Sequence, residues 1–246
     1  MHTLSRLTLT ETKLFLREPA AVFFMLVFPP ALLVIFGLVP SFREPNPDLG
    51  GLRMISLYTP IVIAMALALM ALSALPQMFA TYREKGILRR MRTTPVRPAF
   101  LLGAQLLMCT IVSVIVLVVL LAIGRLAFDV ELPTQAAGYV LSYVLTVVSM
   151  LSIGLLLASL APSARGAGAI GSVLFFPMVF FAGLWAPREV MPEVLRRISD
   201  FTPLGAGVQS LADAAAGHWP QLLHVAVMLG WTVVAGGLAA RYFRWE

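Results

Sequence analysis

Six runs of about twenty apolar residues, each almost free of ionisable side chains, dominate this 246-residue sequence and leave it few ways to fold. They cover positions 20–39, 54–77, 99–123, 136–160, 167–184 and 221–240. In hydrocarbon every backbone N–H and C=O must be satisfied internally, which only a helix or a closed barrel achieves. Barrel strands would alternate apolar and polar residues, and no such period is present. The sequence therefore predicts an all-α membrane protein with six transmembrane helices. Only 12% of its residues are charged and mean hydropathy is +0.90, whereas soluble domains carry about a quarter charged residues. Pro29, Pro30, Pro60, Pro76 and Pro177 fall inside the runs and are expected as kinks. The single Cys109 excludes an intrachain disulfide and has no metal-ligand spacing around it.

The net charge of +6 raises the question of nucleic acid, which the placement of the basic residues answers. With the N-terminus inside, twelve Lys and Arg fall in inner segments and six in outer ones, while eight of the twelve acidic residues fall outside. Short inner loops collect Lys and Arg, so both termini are expected in the cytoplasm of a bacterial cell, with the body in its inner membrane. No nucleic-acid face is formed. The first run is too long for a cleaved signal segment and is read as retained. Residues 1–19 project as an amphipathic helix at the inner interface, with Leu4, Leu7, Leu14 and Phe15 on one stripe and Arg6, Thr10, Lys13 and Arg17 opposite. Glu11 falls within the stripe, which fits either a buried partner or a side chain reaching out to water.

The spans lack the fixed charge that ion-driven pumps use to bind a coupling ion, and neither a charged ring nor a carbonyl filter for a channel is visible. Nor does the chain carry a phosphate-binding loop of the G-x-x-x-x-G-K-[ST] type. If transport occurs, its energy must come from a partner. The segment 78–98 is where a partner would engage. It reads as a short basic helix stopped by Pro95, with Ile87, Leu88 and Met91 as an apolar knob among Arg89, Arg90 and Arg92. Charge alone fits equally an orientation signal or contact with anionic lipid.

The order of residues adds to this. Tyr82-Arg83-Glu84-Lys85-Gly86-Ile87-Leu88-Arg89-Arg90, followed by Arg92-Thr93-Thr94-Pro95, resembles the loop after the second span in type 2 ABC exporter permeases, the family of daunorubicin-resistance-like exporters. The segment 185–220, with Pro187, Met191-Pro192 and Pro203 around a short amphipathic stretch, is similar to that family's outer segment between spans five and six. The resemblance covers nearly the whole chain, read as one transmembrane domain over 1–246. It implies a permease subunit with no catalytic residue, cofactor or metal of its own, and a separate ATPase subunit that binds ATP and Mg. It further implies that Glu84, Lys85 and Gly86 contact that ATPase and that Ile87, Leu88, Arg89, Arg90, Met91 and Arg92 form the docking helix. The exported substrate would be drug-like or lipid-like, with lipid-linked polysaccharide as the alternative. The first outer loop, 40–53, is too short for the large external domain of some relatives.

Phe24 and Phe28 in the first span, and Phe175, Phe176, Met178 and Phe180 in the fifth, could line a route for apolar substrate, or face lipid. Ala167 with Gly171 and Gly168 with Ser172 form small-xxx-small pairs. In the family the fifth span lies near a dimer centre, so these pairs fit a second permease copy, identical or different, or packing within one subunit. In the outer segment Leu195, Ile198, Leu204, Val208 and Leu211 fit an exit rim or anchoring in the outer leaflet. The rival class is an intramembrane hydrolase using Ser172 and His224, but no G-x-S-G pattern precedes that serine. On this reading His224 is an interfacial hydrogen-bonder whose loss is nearly neutral.

Overall fold

A computed structural model describes residues 2–91 and 98–242. Among them the regular elements are all helical, in the order α1 (His2–Leu16), α2 (Pro19–Leu38), α3 (Met54–Glu84), α4 (Ile87–Met91), α5 (Pro98–Phe128), α6 (Ala136–Leu160), α7 (Ala164–Phe181), α8 (Glu193–Phe201), α9 (Pro203–Ala215) and α10 (Leu222–Tyr242). Six of them, α2, α3, α5, α6, α7 and α10, are long and apolar enough to cross a membrane. The expected all-α membrane fold is thus the observed one. One end of the bundle, here called the basic end, carries α1, α4, the α6–α7 turn and the end of α10.

α3 is the central helix. Its most apolar window is 83% buried, against 17–22% for α2, α7 and α10. Before its midpoint it packs against α2 and α5; beyond it, against α6 and α7. α5 and α6 are consecutive in the chain yet scarcely touch, whereas α6 packs along α10.

The change of partners coincides with a π-helical turn, Leu69–Ala74, whose cause is local sequence. The Leu75 N–H donates to Met70 O rather than to Ala71 O, and Pro76 has no N–H to offer Leu72 O. Two adjacent carbonyls thereby lose their ordinary helical donors. Glycines from neighbouring helices meet them: a Cβ on Gly154 of α6 would lie 2.3 Å from Ala71 O, and one on Gly171 of α7 would lie 2.1 Å from Leu72 O. A second π turn, Phe23–Val27, precedes Pro29 and Pro30 in α2 for the same reason. Three of the five prolines, Pro29, Pro30 and Pro76, are therefore accommodated by π turns, while Pro60 and Pro177 sit within continuous helices.

The two expected amphipathic faces are placed as follows. On α1 the buried residues are Thr8, Glu11 and Phe15, with Leu4 and Leu7 half-buried, while Leu14 is 47% exposed. α1 lies along α5, and Glu11 sits in the middle of the contact face. In the outer segment Leu204, Val208 and Leu211 do not face lipid; they are buried against α6, α10 and α3. Small residues on the other side of α9 permit this, Gly207 passing Thr146 and Ser210 O accepting from Ser142 Oγ at 3.2 Å. Both ends of α9 are satisfied internally. Thr202 Oγ1 accepts from Gly205 N at 3.1 Å, and Ala214 O accepts from Gln135 N at 3.1 Å.

Candidate coupling site at the basic end

α3 runs on past the expected limit of its span and stops at Gly86, whose φ of +64° is the left-handed conformation that glycine adopts freely at a helix end. Gly86 N donates to Arg83 O at 2.9 Å, and α4 begins at once, with Arg90 N donating to Gly86 O at 3.0 Å. The expected single basic helix is therefore two pieces, because Gly86 turns the chain.

Three consecutive residues at the end of α3 reach three different helices. The Tyr82 hydroxyl donates to Glu11 Oε2 of α1 at 2.5 Å. Arg83 Nη2 donates to Ala158 O at 2.6 Å and Ala161 O at 2.8 Å, at the end of α6. Glu84 Oε1 accepts from Ala164 N, the first residue of α7, at 2.9 Å. The carbonyls of Ala158 and Ala161 and the N–H of Ala164 are groups that helix ends leave open. Pro162 cannot supply the N–H that Ala158 O would take in a continuing helix, and Ala164 N precedes any turn that could accept it. The charges also match the helix dipoles, a cation at the end of α6 and an anion at the start of α7. Beside them lies a cleft of about 560 Å³ lined by Arg83, Glu84, Ser159, Pro162 and Tyr242.

Glu11 is 4% exposed, and burial raises its pKa, the Tyr82 hydrogen bond opposing this only in part. A raised carboxyl means that the packed form holds its proton more tightly than the released one. Docking of α1 is therefore strongest below the ordinary carboxylate range and weakens as pH rises through the raised value. Glu11→Gln, which keeps an acceptor for Tyr82, is expected to remove that pH dependence from thermal unfolding of the purified chain. Glu11→Ala strands the hydroxyl and should cost about 1–3 kcal/mol.

The other predicted site residues are distributed as follows. Leu88 is 1% exposed and so turns into its own chain instead of standing in an outward knob; Ile87 is half-buried, and Lys85, Arg89 and Arg90 are exposed. Arg92 and the side chain of Met91 lie outside what the structure describes. Of the packing residues, Ala167 is fully buried, Gly171 meets α3 and Gly168 approaches Gln77, so these three serve packing within the subunit; Ser172 is exposed. Phe24 meets Phe28 in α2 at a tilt of 59°, and Phe175, Phe176 and Phe180 belong to a ring cluster with Trp185. Among the described residues no ring contact joins those two groups, and Met178 is half-buried in α7.

His224 does not pair with Ser172. It is 2% exposed, and its Nε2 lies 3.1 Å from Asp200 Oδ1, while Arg188 pairs with the same carboxylate, Nη2 donating to Oδ2 at 3.0 Å. This corrects the reading of His224 as a dispensable interfacial residue. The cluster binds the start of α10 and the end of α8 to the segment after α7. Ser199 Oγ, donating to Phe181 O at 2.6 Å, and Trp231 Nε1, donating to Phe201 O at 3.0 Å, strengthen the same junction.

Comparison with known proteins decides what class of molecule this architecture serves. The family described as ABC-2 type transporter matches residues 3–215. The chain belongs to that family. Its similarity to "Putative transport permease YvfS" of Bacillus subtilis (strain 168) is 24% identity over 227 residues, 91% of either chain. The ABC-2 fold here is thus a multi-pass membrane transporter subunit, and membership implies an ATPase partner and a lipid environment. Tyr82 and Arg83 lie outside the coupling residues expected from the sequence; the signal for Arg83 is Pro162, which leaves Ala158 O without its helical donor.

Proposed function

We propose that this chain is the permease half-unit of an ATP-driven exporter, moving a hydrophobic or amphiphilic drug-like or lipid-like substrate out of a bacterial cell. ATP and Mg are bound by a separate ATPase, and the basic end faces the cytoplasm of the inner membrane with both termini. The observation that carries the reading is the convergence of Tyr82, Arg83 and Glu84 on α1, α6 and α7, immediately before a basic helix. A push on α4 at that point has three helices to act on.

The exposed Lys85, Arg89 and Arg90 are the part of α4 and its approach that an ATPase groove would meet, with half-buried Ile87 beneath them. A second permease copy, identical or different, completes the transporter. The test pairs co-purification with activity. Lys85→Glu with Arg89→Glu should lower association with the ATPase by at least about tenfold, since like charges across an interface cost several kcal/mol, and should leave the thermal unfolding of the permease unchanged. Solute accumulation by vesicles holding only this chain, driven by a proton or sodium gradient, would refute the proposal.

A further inference from the structure

We infer that Arg83 and Glu84 are positioning residues that pass movement of α4 directly to the α6–α7 turn, so that α7 is driven from its basic end as well as through its packing on α3. The inference rests on the coupling role proposed above and names the path within it. Four observations support it. Arg83 and Glu84 are the last two residues of α3, directly before the turn at Gly86 that leads into α4. Both side chains bond to backbone rather than side-chain atoms, at Ala158, Ala161 and Ala164. Those groups have no competing helical partner, because Pro162 interrupts one helix and Ala164 begins the next. Finally, α7 has the least buried span of the six, and its closest packing within the bundle is on α3 at Gly171.

Packing alone could transmit the same movement through the Gly171 contact, and the experiment must separate the two routes. The permease is co-purified with its ATPase in nanodiscs, with Cys109→Ala and spin labels at Val173→Cys on α7 and Val118→Cys on α5, both positions being well exposed. The distance between labels is measured without nucleotide and after ATP hydrolysis in the presence of vanadate, which traps ADP. The otherwise wild-type complex is expected to show a shift. Arg83→Gln should continue to hydrolyse ATP while losing more than about half of that shift, whereas Arg83→Lys, which can still donate to both carbonyls, should restore it. Glu84→Gln, a weaker acceptor without charge, should reduce the shift as well and covers the case in which Arg83→Gln fails to fold. An unchanged shift in the glutamine variants overturns the inference, as does a complex that hydrolyses ATP with no change at Val173. Failure of the permease to associate with the ATPase at all would instead overturn the proposed function.

Discussion

Replacing Gly171 with alanine is expected to destabilise the bundle by about 3 kcal/mol, the upper end of what overpacking usually costs. The added Cβ would lie 2.1 Å from Leu72 O, and the obstacle is backbone, not the end of a flexible side chain. α3 has no room to retreat, because Ala71 O is held equally close to Gly154 of α6. Gly154→Ala should behave alike. The control is Gly230→Ala in α10, where no atom lies within 4 Å of the added Cβ; that change should be neutral or stabilising by up to about 1 kcal/mol, since alanine favours helix. The sole cysteine, Cys109, is 1% exposed, so its reaction with a thiol-reactive fluorophore on heating reports unfolding directly. Coincident melting of the Gly171 and Gly230 variants would show that the close approach at the π turn is absent.

The second large effect is expected at the opposite end of the bundle. Asp200→Ala removes the carboxylate that serves both Arg188 and His224, leaving a 2% exposed imidazole and a largely covered guanidinium without their partner. Breaking such a pair from one side should cost about 2–3 kcal/mol, somewhat less than a fully buried one because the Arg188 side chain is 25% exposed. Glu193→Ala offers the contrast: its pair with Arg197 is 65–76% exposed and should contribute less than about 0.5 kcal/mol. The same thiol assay compares them, and equal losses would remove the Asp200 cluster from the account. Its pH dependence has a definite sign. Burial raises the Asp200 pKa, but hydrogen bonds from Arg188 and His224 outweigh it and hold the group below its ordinary value. Its stabilisation is therefore complete above the ordinary carboxylate range and is lost as pH falls through the depressed value.

The spans were legible because length and apolarity leave helices no alternative in lipid; α6 begins and ends at the expected residues. What could not be read was which polar residues find each other. Glu11 lies in an apolar stripe whether it is buried or reaching for water, and only the arrival of Tyr82 from α3 decides. Leu204, Val208 and Leu211 make the same stripe against lipid as against α6, and the small Ala206, Gly207 and Ser210 on the remaining faces mark the buried case. The inward direction of Leu88 is hidden for a related reason. A five-residue helix cannot be oriented by periodicity alone, and the Gly86 turn sets which side faces inward.

One consequence follows from the scant contact between α5 and α6. The chain is divided like a folded sheet, with α1, α2 and α5 forming one leaf, α6, α9 and α10 the other, and α3 as the crease between them. A torque on the crease would swing the leaves apart while each stays whole, parting the buried Ser113 of α5 from the buried Tyr143 of α6.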